Sequence, residues 1–275
     1  MAWGGKGEMC MQRRIVWLAG GLFYVGTIMG QQAPVQPAPA AKPAVVEAQP
    51  EQLTPAEIAN MQARLQDWPD LTRYRAEDAA IPPPAPGENR VVFLGDSITD
   101  AWGRAQGKFF PGKPWVNRGI SGQTTPQMLV RFQQDVLALQ PAAVVILAGT
   151  NDIAENTGPE PMSAIEDNFR SMVTLAKANH VRVVLSSVLP ASRYNWRPGI
   201  APAEKIRELN RWLESYATEQ HLVYLNYYPA LVNGEGGMKP ELTTDGTVHP
   251  DGAGYAIMEP LAEQAVAQAL SQPAP

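Results

Sequence analysis

The chain has 275 residues, 45% of them hydrophobic and 18% charged, with a formal net charge of −5. That length and apolar content suffice for one sizeable core. No long basic run or stripe is present, which removes the electrostatic support that nucleic-acid binding needs.

The N-terminus reads as a secretory leader. Arg13 and Arg14 precede an apolar run from Ile15 to Met29, and Gly30 closes it. A basic stretch, a short apolar stretch and a small residue form the pattern of a signal peptide. The run falls short of the roughly 20 residues that cross a bilayer. Residues 1–30 are therefore expected to be a signal peptide, with a retained N-terminal anchor as the alternative. The mature protein is expected to be secreted or periplasmic, with no integral membrane domain. Its removal takes away Lys6, Glu8, Arg13, Arg14 and the single cysteine, Cys10. No disulfide, thiolate nucleophile or cysteine-ligated metal is then expected.

Residues 31–53 are rich in Pro, Ala and Gln, as in Ala33-Pro34-Val35-Gln36-Pro37-Ala38-Pro39, and read as an extended tether. Residues 54–86 read as an N-terminal helical segment. Thr54 caps a helix over 55–67, with Pro55 at its first position and Glu57 three residues after the cap. A shorter helix follows over 71–79, and the Pro82-Pro83-Pro84-Ala85-Pro86-Gly87 run ends it.

The main domain spans 87–272. Continuous apolar runs predict strands at 91–94, 115–117, 143–147, 181–187 and 222–225. Helix-like segments fall at 126–138, 161–178, 202–220 and 252–269. Unbroken apolar character marks strands covered on both faces. The alternation predicts an α/β fold, a three-layer α/β/α sandwich around a mostly parallel sheet. In such sheets ligands bind beyond the carboxyl ends of the strands.

The chemically distinctive residues fall there. Gly95-Asp96-Ser97-Ile98-Thr99 follows the first strand and offers a nucleophile in Ser97. Asn117-Arg118-Gly119-Ile120-Ser121-Gly122 ends the second, where Gly119 can present a bare backbone N–H. Gly149-Thr150-Asn151-Asp152 follows the third, and Asn151 is a short amide donor suited to polarising a carbonyl oxygen. Of three histidines, His180 and His221 read as surface or cap residues. His249 instead lies in the loop Asp245-Gly246-Thr247-Val248-His249-Pro250, with a carboxylate close by. A general base needs its second ring nitrogen tethered, and Asp245 can supply that. Singly, each has a plainer reading: Ser97 as a helix cap, Gly119 as a turn glycine, Asn151 as an Asx turn.

Together, in this order, the four residues resemble the markers of the SGNH hydrolase superfamily, also called the GDSL esterase/lipase family. The resemblance runs from about Arg90 to Ala269. It implies a flavodoxin-like, five-stranded sheet and a serine ester hydrolase. Ser97 would be the nucleophile, His249 the base and Asp245 its orienter. The N–H groups of Ser97 and Gly119 and the side chain of Asn151 would form the oxyanion hole. One departure stands out. The family spaces acid and base as Asp-x-x-His, whereas Thr247 makes it Asp-x-x-x-His here. A bulge at Gly246, a backbone carbonyl on His249, or recruitment of Asp251 would each accommodate it.

No Gly-x-Ser-x-Gly elbow, His-Glu-x-x-His spacing or glycine-rich phosphate loop occurs, so neither a metal nor a cofactor is expected. The stretches 107–127 and 193–198 are similar to the secreted bacterial branch of the family, which includes carbohydrate acetylesterases. The expected substrate is a small-molecule or carbohydrate ester with a short acyl group, acetyl above all. Asp96, Tyr194 and Trp196 are the candidate substrate contacts, and Trp102 and Trp115 read more simply as core. A lysophospholipase or thioesterase, a water-excluding acyltransferase and a non-catalytic carbohydrate-binding module are the alternatives.

Overall fold

The computed structural model describes residues 53–275. The expected signal peptide, and all of the tether but Leu53, lie outside the described residues. In chain order the elements are α1 (Pro55–Gln66), α2 (Arg75–Ala80), β1 (Val91–Gly95), α3 (Ser97–Ala101), β2 (Trp115–Gly119), α4 (Thr125–Asp135) and β3 (Ala143–Leu147). There follow α5 (Thr150–Ile153), α6 (Met162–Ala178), β4 (Arg182–Ser186), α7 (Ala203–Glu219), β5 (Val223–Leu225), α8 (Tyr228–Leu231) and α9 (Gly252–Ser271).

The five strands form one sheet in the order β2-β1-β3-β4-β5, and every pairing is parallel. All residues of β1 and β3 are buried. Because successive side chains point to opposite faces, each strand feeds two cores. Val92, Leu94, Val144 and Ile146 pack with Phe132 of α4, Phe169 of α6 and Leu209 of α7. Val91, Phe93, Val145 and Leu147 pack with Ile98 of α3 and with Met258, Ala262 and Val266 of α9. Helices thus cover both faces, giving the three-layer α/β/α sandwich expected from the alternation of strands and helices. Each fully buried Val, Leu or Phe contributes about 1.5–3 kcal/mol over its exposed state. Trp102 belongs to the second core and Trp115 packs against it.

Local chemistry sets the element ends. At α1, the Thr54 hydroxyl accepts from the Glu57 N–H, and the Glu57 carboxylate accepts from the Thr54 N–H. No residue of α1 is buried. The second helix starts four residues later than expected because the Asp67 carboxylate accepts from the N–H groups of Leu71 and Thr72, holding a turn there. Tyr74, just before α2, is buried and donates its hydroxyl to the Gly119 carbonyl. His180 and His221 follow α6 and α7 with left-handed φ of 58° and 57°, as residues just past helix ends commonly do.

Candidate active site

The carboxyl ends of β1, β2 and β3, with the loop before α9, bring the expected residues to one edge of the sheet. β1 ends at Gly95, Asp96 caps α3 by accepting from the Ile98 N–H at 2.9 Å, and Ser97 is the first residue of that helix. Ser97 Oγ lies 2.9 Å from Nε2 of His249. His249 Nδ1 lies 2.5 Å from Oδ2 of Asp245. Both Ser97 and His249 are half-buried.

The extra residue between acid and base is taken up by a turn wrapped on the carboxylate. Asp245 Oδ1 accepts from the Thr243 hydroxyl and from the N–H groups of Thr247, Val248 and His249. The chain turns through Gly246 at φ 70°. Burial alone would raise the Asp245 carboxyl. The His249 hydrogen bond and the Thr247 N–H outweigh it and hold the group well below the usual carboxylate range. Asp251 has other work: it caps α9 by accepting from the Gly254 N–H at 2.8 Å.

Asn151, in α5, is buried beside the serine loop. Its Nδ2 donates to the Gln123 carbonyl at 3.0 Å and, at a longer 3.3 Å, to Asp96 Oδ2. Asp96 is itself fully buried. Burial pushes its carboxyl up to about 6, against the Ile98 N–H bond and the charge of His249. As cap and as acceptor for Asn151, Asp96 sits behind the site and not in a substrate path, which corrects the expectation of a substrate contact.

Two further expectations change on burial and bonding. The Gly119 N–H already donates to Asn117 Oδ1 at 2.9 Å, and its carbonyl accepts from Tyr74. A Cβ at 119 would lie 2.1 Å from the Asp100 nitrogen. Gly119 is therefore a close-packing glycine with its donor spent. Gly122, three residues on, is exposed, turns at φ 80° and has open space around it. Among the described residues its N–H has no acceptor. Tyr194 is buried, bonded to Thr150 and packed against Trp196, with ring centroids 4.7 Å apart and the planes tilted by 34°. It supports a wall and does not form one. Trp196 itself is 38% exposed, with its ring centroid 6.4 Å from that of His249.

Trp196 also borders a cleft of about 1000 Å³. Its lining combines the C-terminal end of α1 and Trp68 with Ser121, Gly122, Asn156 and Trp196. No residue of α1 or its flank was among the sequence candidates. Trp68 lies 29 residues before Ser97, and nothing in the local pattern ties it to the serine. Among the described residues, no cluster of three His, Cys, Asp or Glu side chains is arranged to hold a metal ion, and no helix is long and apolar enough to cross a membrane.

A GDSL-like lipase from Bacteroides thetaiotaomicron, whose structure is solved, is 46% identical, superposes with a TM-score of 0.70, and matches over 73% of this chain and 98% of its own. An acetylxylan esterase of Geobacillus stearothermophilus is 35% identical over 88 residues, 23% of this chain and 40% of that protein. The uncharacterized lipoprotein YqeF of Bacillus subtilis is 32% identical over 121 residues, 38% of this chain and 50% of that protein. The chain thus spans half or less of the length of these two curated relatives. The sequence pattern of the GDSL-like Lipase/Acylhydrolase family matches residues 93–257. That stretch is more than half of the chain and runs from β1 into α9, and the chain belongs to this family of ester hydrolases.

Proposed function

We propose that this chain hydrolyses short acyl esters, acetyl above all, with a carbohydrate as the alcohol, through an acyl-enzyme on Ser97. The observation that carries the reading is the 2.9 Å contact of Ser97 Oγ with His249 Nε2, backed by the 2.5 Å contact of His249 Nδ1 with Asp245. A depressed Asp245 carboxyl stays ionised. It keeps the Nδ1–H tautomer, leaving Nε2 unprotonated to take the serine proton.

Ser97 Oγ attacks the ester carbonyl as its proton passes to His249 Nε2. The carbonyl oxygen gains the negative charge and is received by the N–H groups of Ser97 and Gly122 and by the Asn151 amide. Gly122 takes the part that the sequence alone assigned to Gly119. The Asn151 hydrogen on the long 3.3 Å contact to Asp96 is the one most easily given to the oxyanion. As the tetrahedral intermediate collapses, His249 protonates the departing alcohol. A water, deprotonated by His249, then attacks the acyl-serine, and the returning proton frees Ser97.

The alcohol reading rests on the cleft. Trp68 and Trp196, 41% and 38% exposed, offer flat apolar faces beside Ser121, Asn156 and two arginines, Arg64 and Arg197. Aromatic faces with a few convergent polar groups suit a sugar. The acetylxylan esterase named among the relatives supports the same direction. Action on such esters calls for export, in line with the leader pattern at 1–30 and the lipoprotein name of a relative.

The test is a fluorophosphonate probe read by intact mass, beside a series of p-nitrophenyl esters and acetylated xylo-oligosaccharides. The expected result is one label on the native chain, none on Ser97→Ala, and acetate turned over faster than octanoate. Labelling of Ser97→Ala would remove the nucleophile. Octanoate as the faster ester would move the reading to a long-chain acyl hydrolase. Asn151→Ala is expected to lose about 10²–10³ in rate, the usual loss for one oxyanion donor.

A further inference from the structure

We propose that Asn156 is a positioning residue of the oxyanion hole: its side-chain amide, oriented by the Trp196 indole, clamps Asn151 to the Gly122 turn. The inference rests on the reading of Asn151 and Gly122 as oxyanion donors.

Asn156 lies just beyond α5. The chain reverses there through Glu155, a non-glycine residue at φ 58°. The Asn156 N–H returns to the Asn151 carbonyl at 3.0 Å. Arg197 donates to the Glu155 carbonyl at 2.8 Å, holding the reversal from the Trp196 side.

The amide is then committed at all its atoms. Trp196 Nε1–H lies 3.0 Å from Asn156 Oδ1. An indole nitrogen only donates, so the oxygen of Asn156 must face Trp196 and its nitrogen must face inward. That nitrogen donates to Asn151 Oδ1 at 2.8 Å and to the Gly122 carbonyl at 3.2 Å. One NH₂ group therefore touches both elements that would receive the oxyanion beside Ser97.

The consequence for Asn151 follows from donor and acceptor counting. Its oxygen is satisfied by Asn156, so its NH₂ points the other way. There it meets two groups that accept, the Gln123 carbonyl and the buried Asp96. Orientation is thus fixed from both ends of the Asn151 amide. If position 156 presents only acceptors, the matching donor is lost. The Asn151 oxygen then faces a like dipole and the amide is driven to turn, taking its N–H away from the substrate. Trp196 also forms a wall of the cleft, so substrate contact and oxyanion geometry meet in one side chain.

The experiment uses the full chain with p-nitrophenyl acetate, whose small alcohol makes little use of the cleft. Asn156→Asp replaces the inward donor by an acceptor at nearly constant volume. Its kcat is expected to fall by about 10², the loss of one oxyanion donor, with KM within about twofold. Trp196→Phe keeps the ring, removes the N–H that orients Asn156, and is expected to give a smaller kcat loss in the same direction. The decisive arm places each change in an Asn151→Ala background. A residue acting through Asn151 has little left to lose there, so the second change is expected to cost less than about twofold, the mark of coupled sites.

Equal kcat for Asn156→Asp and the native chain would overturn the proposal. So would an undiminished loss in the Asn151→Ala background, since Asn156 would then act by another route. Should Asn156→Asp not fold, the Trp196→Phe pair decides by the same criterion. Full activity of Asn151→Ala on its own would instead refute the underlying oxyanion reading, a separate outcome.

Discussion

At the scale of single residues, the site turns on how one carboxylate divides its two oxygens. Asp245 Oδ1 gathers three N–H groups and a hydroxyl of its own loop, while Oδ2 is left to His249. Asp245→Asn keeps an acceptor for the loop but can set an NH₂ against Nδ1, favouring the tautomer with the proton on Nε2. That nitrogen can no longer take the serine proton. The expected loss in kcat is on the order of 10⁴, the cost of the same change in a serine-protease triad, with the fold retained by circular dichroism. Asp251→Asn, a cap change, is expected to leave kcat near native. Unchanged kcat in Asp245→Asn would take the carboxylate out of the mechanism. Ser97, His249 and Asp245 were legible in the sequence because each stands beside a chain feature that survives without tertiary contacts, a strand end or a terminal loop. The spent donor of Gly119 was not. It depends on where the β2 pairing stops, at Gly95 opposite Gly119, and on Tyr74 reaching back from 45 positions earlier to hold the Gly119 carbonyl.

At the scale of elements, α2 is joined to the sheet by charge. Arg118 of β2 is fully buried and meets Glu77 at 2.8 Å and Asp78 at 2.7 Å. Breaking a buried pair leaves an uncompensated charge, which typically costs about 3–5 kcal/mol. Glu77 remains as a partly exposed second partner, so Asp78→Ala is expected at the lower end of that range. Urea unfolding followed by fluorescence measures it, and a loss below about 1 kcal/mol would mean that Arg118 finds water or Glu77 sufficient. The same arginine explains a limit of sequence reading. A charged residue interrupts the apolar run there, so β2 was expected to end at Asn117, whereas it runs to Gly119. The long helices α6 and α7 and the apolar strand β3 were legible because periodicity needs several turns to show. Helices α3, α5 and α8 have four or five residues each and display no period. Yet α3 and α5 carry Ser97 and Asn151, so the elements that hold two of the proposed catalytic groups are those the pattern shows least.

At the scale of the whole molecule, buried carboxylates make stability depend on pH. Asp152 joins α5 to α4: its Oδ1 accepts from the Thr125 N–H and hydroxyl at 2.8 and 2.5 Å. Its Oδ2 is buried and, among the described residues, has no partner. Burial pushes this carboxyl up to about 7, against the two Thr125 bonds. A carboxyl whose folded value is raised binds its proton more tightly in the folded state than in the unfolded one. Its stabilising effect is therefore complete below the ordinary value near 3.8 and is lost as pH rises towards 7. Asp96, raised to about 6, acts in the same sense. Asp245, held low, acts oppositely and only in acid. Asp152→Asn keeps the acceptor for Thr125 and cannot ionise. The difference in Tm between Asp152→Asn and the native chain is therefore expected to shift in favour of the variant from pH 5 to pH 8. Differential scanning calorimetry across that range reads the shift directly. A difference that stays constant with pH would show that Asp152 ionises as readily in the folded protein as in the unfolded chain, and that its unpartnered oxygen reaches water.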